Sequence, residues 1–266
     1  MGRFHRHDDG SVHDHDHDGE HAHDYDHEHP HDHADHAADI GDMSGYETGA
    51  ERVVVLEAIF GENDRIAAAN RADFAAAGVR VVNLMSSPGA GKTTLLRETL
   101  VRLQGRARVG IVEGDIETSL DADRLEGLGA SVALVNTGEG FGGECHLDAP
   151  MIRSALPRVP LHDLDLLVIE NVGNLVCPAE FDVGENAKAM VWSPTEGEEK
   201  PLKYPVMFRS AEVVVVNKID LLPFLDIDMD VFRANLARVN PAALFLEVSA
   251  KTGEGVDAWV DWVVGG

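Results

Sequence analysis

The chain has 266 residues, and its 47 Asp and Glu against 22 Lys and Arg give a formal net charge of −25 at pH 7. Phosphate backbones and acidic headgroups repel a polyanion, so the charge argues against nucleic acid and anionic membranes as partners. The sequence shows no apolar secretory signal near Met1 and no run of about 18 apolar residues, so we expect a cytoplasmic protein without membrane association.

The first 42 residues differ in composition from the rest of the chain. They carry 13 acidic side chains against two Arg, and they hold 12 of the 14 His. Such a segment cannot bury enough apolar surface to offset the entropy that is lost on ordering. We therefore predict a disordered His/Asp-rich tail over residues 1–42, followed by one globular domain over residues 43–266.

Ten His of the tail lie close together, mostly two residues apart, so several imidazoles can reach one metal ion. Imidazole binds Ni²⁺, Cu²⁺ and Zn²⁺, and the interleaved carboxylates keep the segment soluble. The alternatives are an engineered tag, which would be a contiguous His run, and a solvated acidic tail in which His is incidental. We interpret the segment as a nickel store, whose ligands are His13, His15, His17, His21, His23, His27, His29, His31, His33 and His36.

In the second part of the chain, helical spacing predicts an N-terminal helical segment over residues 43–78, which Gly61 is expected to break in two. Short apolar runs then alternate with helix-length segments. Such runs are typical of strands buried on both faces, so we predict an α/β fold with a mainly parallel sheet flanked by helices. Residues 178–207 contain four Pro and are expected to form an ordered insertion or a long loop. The predicted strands are residues 79–86, 107–114, 131–136, 164–170, 212–217 and 244–249.

The stretch SSPGAGKTTLL follows the first predicted strand. Gly89 and Gly91 allow a tight loop whose N–H groups point at phosphate oxygens, and the following helix adds its N-terminal partial charge. Lys92 can reach the β- and γ-phosphates, and the Thr93 hydroxyl can ligate Mg²⁺. Ser86 replaces the first Gly of the usual motif, and a chance Gly-rich turn is the alternative. The position between strand and helix favours a P-loop, formed by Gly89, Ala90, Gly91, Lys92, Thr93 and Thr94.

The segment NKID at the end of a later predicted strand indicates which base is bound. An Asp carboxylate at this position accepts hydrogen bonds from the N1–H and the exocyclic amine of guanine, a pair of donors that adenine lacks on one edge. The segment SAK follows the next predicted strand, where GTPases place a second base contact. We therefore predict GTP as the ligand of Asn217, Lys218, Asp220, Ser249, Ala250 and Lys251, in a P-loop NTPase of G-domain architecture.

Two segments between these motifs are candidates for sensing the γ-phosphate. Glu170, after the strand LDLLVIE, is expected to act on Mg²⁺, and Gly173 to offer its N–H to the γ-phosphate. Asp115 is a candidate to orient water or approach the metal ion, with a helix N-cap as the alternative role. Asn174 stands where fast GTPases keep a water-orienting Gln, so we expect slow intrinsic turnover. With Lys92, the residues Asp115, Glu170 and Gly173 form the predicted catalytic set.

Both Cys of the chain lie near these switch segments. Cys145 and His146 are adjacent, and Cys177 follows Glu170 by seven residues. Thiolate and imidazole suit Zn²⁺ or Ni²⁺, and two copies of a three-ligand set around a symmetry axis could complete the coordination shell. The alternative is that each Cys is a small buried apolar residue and that His146 is a surface residue.

The motifs SSPGAGKTTLL, VEGDIET, GECHLDA, VIENVGNLVCPAEFDVGE, KYPVMFRSAEVVVVNKIDLLP and VSAKTGEG resemble those of the HypB family, the nickel-inserting GTPases of [NiFe]-hydrogenase maturation. The resemblance covers about residues 50–262. It implies a GTP-dependent homodimer with Cys145, His146 and Cys177 binding Ni²⁺ or Zn²⁺ at the interface. It also implies nickel delivery to the hydrogenase large subunit together with a HypA-type metallochaperone. Some members carry an N-terminal Cys-rich nickel motif, which this sequence lacks.

Two alternatives remain at this point. A urease-type nickel GTPase can also carry a His-rich N-terminus, but it would be expected to show a Cys-Pro-His motif, whereas no Pro separates Cys145 from His146. A nickel store with a vestigial GTPase domain is the other. The intact Lys92, Thr93 and NKID segment argue against such decay.

Overall fold

The computed structural model describes the backbone of residues 5–6, 12–13, 49–114, 125–135 and 146–265, and side chains from residue 57 onward in those ranges. The chain divides into two units, Met1–Gly49 and Ala50–Gly266. In the first unit, β1 (His5–Arg6) pairs antiparallel with β2 (Val12–His13). The predicted disorder of the tail and its His ligands beyond His13 lie outside the described residues, so both stay predictions.

The second unit begins within one long helix, α1 (Gly49–Ala77). The expectation that Gly61 breaks this helix is wrong, because the helix passes through it without interruption. A Gly inside a helix costs only about 1 kcal/mol relative to Ala. Packing of the remaining helix, for example of the fully buried Phe74 and Ala67, is sufficient to offset that cost.

A seven-stranded, all-parallel sheet forms the centre of the second unit, which confirms the predicted α/β fold. Its spatial order is β5-β4-β6-β3-β7-β8-β9. Each of the six predicted apolar runs contains one of these strands, since runs that are apolar throughout can be buried on both faces. The strands are β3 (Arg80–Ser86), β4 (Val109–Glu113), β5 (Ser131–Leu134), β6 (Leu166–Glu170), β7 (Ala187–Trp192), β8 (Val213–Val216) and β9 (Leu244–Glu247).

Strand β7 was not expected, and the prediction of an insertion or loop over residues 178–207 is wrong. β7 lies between β3 and β8 in the interior of the sheet, with Leu84 opposite Ala189. Lys188 interrupts the apolar run of β7, and four Pro lie on the two sides of this strand in the sequence. For these reasons the sequence pattern does not indicate a strand. The Pro residues instead lie in short helical turns on either side of the strand.

Helices cover both faces of the sheet. Alternate residues of β3 point to opposite faces, so that Val82 and Leu84 pack with α2 and the C-terminal helix, whereas Val81 packs with α1. A third cluster around Trp192 and Phe232 covers the other end of the sheet. The helices after α1 are α2 (Lys92–Leu103), α3 (Ala149–Ala155), α4 (Cys177–Glu180), α5 (Lys200–Lys203), α6 (Pro205–Ser210), α7 (Met229–Val239) and α8 (Val256–Val263). In the part of the chain that the structure describes, no helix has the length and apolar character needed to cross a membrane.

Candidate functional site: a nucleotide-binding edge

The predicted P-loop connects the end of β3 to the start of α2. Gly89 has φ 77° and Gly91 has φ 97°, a left-handed conformation that favours glycine. A side chain at Gly91 would also place its Cβ 2.5 Å from Asn217 Nδ2. Ala90 is buried and Thr94 exposed at the start of α2. The loop therefore has the glycine-dependent geometry that lets backbone N–H groups converge on phosphate.

Ser86, which replaces the first Gly of the usual motif, has a structural role in this loop. Its fully buried hydroxyl accepts a hydrogen bond from Lys92 Nζ at 2.8 Å and donates to the carbonyl of Ser87 at 2.6 Å. The Lys92 ammonium is thereby held against the loop, at the position from which a lysine reaches phosphate oxygens. The departure from the motif therefore leaves the lysine well placed.

Thr93 and Glu170 lie together, as predicted for a Mg²⁺ site. The Thr93 hydroxyl donates to Glu170 Oε1 at 2.8 Å, and Glu170 is only 6% exposed. Hydroxyl and carboxylate oxygens are ligands that Mg²⁺ prefers. The two side chains line a cavity of about 230 Å³, which is bounded by Pro88, Lys92, Thr93, Glu113, Gly114, Glu170, Asn171, Val172 and Gly173. These residues fit a divalent cation that neutralises nucleotide phosphate charge.

Glu113, which was not predicted as a site residue, is 2% exposed and lines the same cavity. It ends β4 just as Glu170 ends β6, and the two residues are direct partners in the parallel register. The repeated pattern of an apolar strand ending in Glu (VGIVE and LLVIE) was the available signal. Gly173 also belongs to this edge, because a Cβ there would lie 3.1 Å from Pro88 Cα in the P-loop.

The NKID segment follows β8 and contacts the P-loop directly. Asn217 Nδ2 donates to the carbonyl of Ala90 at 3.0 Å, and Asn217 Oδ1 accepts from the N–H of Ala250 at 3.0 Å. Lys218 has φ 65°, and its Nζ donates to the carbonyl of Gly89 at 2.6 Å. Asn217 thus joins the P-loop, the NKID segment and the SAK segment, three loops that are far apart in sequence.

Asp220 and the SAK segment also meet. The Ser249 hydroxyl donates to Asp220 Oδ1 at 2.7 Å, and Lys251 Nζ lies 3.9 Å from Asp220 Oδ2. Ser249 is fully buried, whereas the Lys251 side chain is 80% exposed. The buried hydroxyl therefore orients one carboxylate oxygen of Asp220. The role of Asp220 in recognising guanine stays a prediction.

Glu196 was not predicted as a site residue, although Ser87 next to the P-loop and Lys218 of the NKID segment both act on its carboxyl group. Its Oε1 accepts from the N–H of Ser193 at 2.9 Å and caps a short helical turn after β7. Burial raises the pKa of this carboxyl, and the Ser87 hydroxyl, the Ser193 N–H, Lys200 and Lys218 act in the opposite direction. A lone Glu in a Pro-rich segment gives no sequence signal for such burial.

The predicted metal ligands are only partly described. Cys145 and Asp115 lie outside the described residues, so their roles stay predictions. His146 is 9% exposed and stacks on the Phe181 ring with centroids 4.0 Å apart, and Cys177 is the first residue of α4. Within residues 57–114, 125–135 and 146–265, no group of three or more His, Cys, Asp or Glu could hold a metal ion.

Asn171 connects the segment after His146 to the segment after Glu170. It is 2% exposed, and its Oδ1 accepts from the N–H of Leu147 and from the N–H of Val172, both at 3.0 Å. One buried amide thus contacts both the segment that follows His146 and the segment that follows β6. Asn171 was not predicted as a site residue, because no sequence signal marks its burial.

A P-loop, an NKID segment and a switch-like segment after β6 all lie at the carboxyl ends of parallel strands. This arrangement defines a nucleotide-binding domain of the P-loop GTPase class. The family model of the CobW/HypB/UreG nucleotide-binding domain matches residues 80–247. The hydrogenase maturation factor HypB of Escherichia coli (strain K12) is 48% identical over 226 residues, which cover 84% of this chain and 77% of that protein. The chain therefore belongs to the CobW/HypB/UreG family.

Two solved structures are similar over most of the second unit. The hydrogenase maturation factor HypB from Archaeoglobus fulgidus has a TM-score of 0.71 at 38% identity, covering 77% of this chain and 98% of that one. HypB from Helicobacter pylori in complex with nickel has a TM-score of 0.71 at 35% identity, covering 76% of this chain and 94% of that one. These matches confirm the resemblance to HypB proteins that the motifs indicated.

Proposed function

We propose that the chain is a GTP-hydrolysing nickel metallochaperone that inserts nickel into [NiFe]-hydrogenase during maturation. Its Escherichia coli relative is a hydrogenase maturation factor, and its Helicobacter pylori relative is known in complex with nickel. The nucleotide-binding edge supplies the GTPase part of the proposal, and the His146 and Cys177 segments supply the nickel part. Nickel is the cargo in this proposal.

The contact between Leu147 and Asn171 carries the proposal. Leu147 directly follows the predicted ligand His146, and Asn171 directly follows the predicted Mg²⁺ ligand Glu170. The 3.0 Å hydrogen bond between the Leu147 N–H and Asn171 Oδ1 is buried, where a lost partner costs about 1–3 kcal/mol. A change in the switch segment on GTP binding or hydrolysis would therefore be transmitted to the metal-binding segment.

For hydrolysis, we assign a role to each residue of the catalytic set. Lys92 balances phosphate charge, Thr93 and Glu170 hold Mg²⁺, and the Gly173 N–H contacts the γ-phosphate. Asp115 orients the attacking water or approaches the metal ion. Asn174 replaces the water-orienting Gln, and its Oδ1 accepts from the Val176 N–H at 2.8 Å, so intrinsic turnover is slow.

For nickel, we assign Cys145, His146 and Cys177 as ligands of Ni²⁺ or Zn²⁺ at a homodimer interface. A second copy of the chain would complete the shell and make dimerisation dependent on GTP and metal. The partners are a HypA-type metallochaperone and the hydrogenase large subunit, in the cytoplasm. The His-rich residues 1–42 serve as a nickel store.

Two readouts on the full chain test this function. Phosphate release from GTP reports hydrolysis, and the thiolate-to-nickel charge-transfer absorbance reports the Cys site alone, since residues 1–42 contain no Cys. We expect slow GTP hydrolysis that is lost in Lys92→Ala, and an absorbance band that is weakened in Cys177→Ser, which leaves Cys145 as the one thiolate of the proposed site.

Val176→Ser is the matched control for Cys177→Ser, because Val176 is the neighbouring residue and is 48% exposed. This control should keep the absorbance band. A chain that hydrolyses no GTP, or that shows no thiolate band with nickel, would contradict the proposed function.

A further inference from the structure

A set of buried polar side chains extends from Asn171 into the sheet. Besides accepting from Leu147 and Val172, Asn171 donates through Nδ2 to Asn83 Oδ1 at 3.2 Å. Asn83 lies in the middle of β3, is fully buried, and donates to Glu185 Oε1 at 3.4 Å. Buried amides are costly unless they are hydrogen-bonded, and these two bond to each other.

The set continues from Glu185 to the segment that begins at Cys177. Glu185 is 8% exposed, its Oε2 accepts from the Val183 N–H at 2.8 Å, and its Oε1 lies 3.5 Å from Lys188 Nζ. Lys188 Nζ also donates to the carbonyls of Phe181 at 3.1 Å and of Ala179 at 3.3 Å. Lys188 therefore holds the backbone of α4 and of the residues just after it.

Phe181, whose carbonyl accepts from Lys188, stacks on His146, and the next residue, Leu147, bonds to Asn171, so the series of contacts returns to its start. We call the four polar side chains of this closed series, Asn171, Asn83, Glu185 and Lys188, the polar ring. The polar ring joins the end of β6 to the His146 segment (residues 146–149) and to the Cys177 segment (residues 177–185).

Helix α1 supports the same two segments from outside the polar ring. Asn63 accepts from the Ala149 N–H at 2.9 Å and donates to the Asp182 carbonyl at 2.9 Å. Asn70 donates to the carbonyls of Ala149 and Val183, both at 3.1 Å. Each of these amides thus bridges the His146 segment and the Cys177 segment.

We propose that the polar ring fixes the His146 segment and the Cys177 segment in one geometry relative to the end of β6, so that Asn171 and Lys188 are positioning residues of the metal site. The inference rests on the proposed function, since it assumes that these segments carry metal ligands. A metal ion needs its ligands at set distances, and segments that are free to move apart bind it more weakly. Asn171 joins this geometry to the nucleotide edge, whereas Lys188 acts at the opposite end of the ring.

Metal titrations of the full chain with GDP bound test the polar ring. Ni²⁺ is supplied from a nitrilotriacetate buffer that fixes the free metal concentration, and the thiolate charge-transfer band is recorded. The His-rich tail carries no thiol and does not contribute to this band. Asn171→Ala loses the bonds to Leu147, Val172 and Asn83, and Lys188→Met loses the bonds to Phe181 and Ala179. We expect each variant to raise the free nickel concentration at half-saturation about ten-fold. Lys188→Arg, which keeps donors for the two carbonyls, should stay within about three-fold of the wild type.

Asn235→Ala controls for general loss of stability. Asn235 is another buried amide, 8% exposed, which donates to the Glu198 carbonyl at 3.0 Å and belongs to neither segment. This control should bind nickel within about two-fold of the wild type. If Asn171→Ala does not fold, the comparison of Lys188→Met with Lys188→Arg decides alone.

The outcomes separate the two proposals. Unchanged half-saturation in folded Asn171→Ala and Lys188→Met, or an equal shift in Asn235→Ala, overturns the polar ring while the metal site stands. A wild-type chain without any thiolate band overturns the proposed function and, with it, this inference.

Discussion

Asp220 provides the sharpest test of guanine recognition. Its carboxylate is 16% exposed, and Ser249 holds one of its oxygens at 2.7 Å. Replacement by Asn keeps the size of the side chain but turns one acceptor oxygen into an amide NH2 donor. Guanine presents two donors to this carboxylate, so one of them would face a donor in Asp220→Asn.

The magnitude follows from the lost hydrogen bond. A hydrogen bond to a charged group contributes about 1.5–3 kcal/mol, and a base donor left without a partner adds to the loss. A total of about 3 kcal/mol corresponds to roughly 100-fold weaker GTP binding. Ser249→Ala removes the bond that orients Asp220, together with the bond that the Thr252 N–H donates to the Ser249 hydroxyl at 3.2 Å. It should weaken GTP binding by about 1 kcal/mol, or roughly five-fold.

Competition against a fluorescent GDP derivative measures these affinities on the full chain. The exposed Asp226→Asn is the matched control, because it makes the same change of charge six residues after Asp220, and it should bind GTP like the wild type. Thermal unfolding of each variant verifies that it is folded. A folded Asp220→Asn that binds GTP within three-fold of the wild type would refute the assignment of Asp220 to the base.

Three further predictions concern the P-loop, a buried carboxyl and the tail. Gly91→Ala should lower the free energy of unfolding by about 2 kcal/mol or more, because φ 97° strains an L-residue and the new Cβ meets Asn217. Gly105→Ala is the control, since Gly105 has φ 71° and open space around the new Cβ, and it should lower the free energy of unfolding by only about 1 kcal/mol. Chemical denaturation measures both values. Burial raises the pKa of Glu196, so the wild type loses stability as pH rises through that raised pKa. Glu196→Gln cannot ionise and should therefore melt above the wild type at pH 8, with the difference shrinking toward pH 4. Nickel bound to residues 1–42 should be released as pH falls through about 6.5, because imidazole becomes protonated there. Equilibrium dialysis at pH 7.5 and at pH 5 measures the bound nickel, and nickel retained at pH 5 would contradict imidazole ligation.

Much of the fold followed from the sequence because its signals are local. Continuous apolar runs predict buried parallel strands, and six of the seven strands of the parallel sheet were found in this way. Strand β7 escaped because Lys188 interrupts it, and Lys188 is tolerated there only because Glu185 and two backbone carbonyls surround its ammonium. The contacts that allow Lys188 in the strand form only in the folded chain, so the apolar pattern of the sequence does not show this strand.

The candidate site was also predicted in part, through its sequence motifs and not through its buried polar residues. The P-loop and the NKID segment were identified because phosphate and guanine demand particular residues at fixed spacing. Asn83 and Asn171 were missed, since nothing in the sequence distinguishes a buried, bonded amide from an exposed one. Glu113 was missed although it ends an apolar strand in the same way as Glu170. Their roles depend on which strands are neighbours, and the sheet order β4-β6-β3 supplies that information.

Sedimentation velocity of the full chain tests the central claim most directly, that GTP controls a nickel site shared by two copies. Samples with GDP and with a non-hydrolysable GTP analogue are compared, each with and without Ni²⁺, and the thiolate–nickel absorbance is read on the same samples. We predict a monomer–dimer shift with the analogue that is lost in Lys92→Ala and is accompanied by a change in the thiolate–nickel band. A monomer with an unchanged band in every condition would contradict the account.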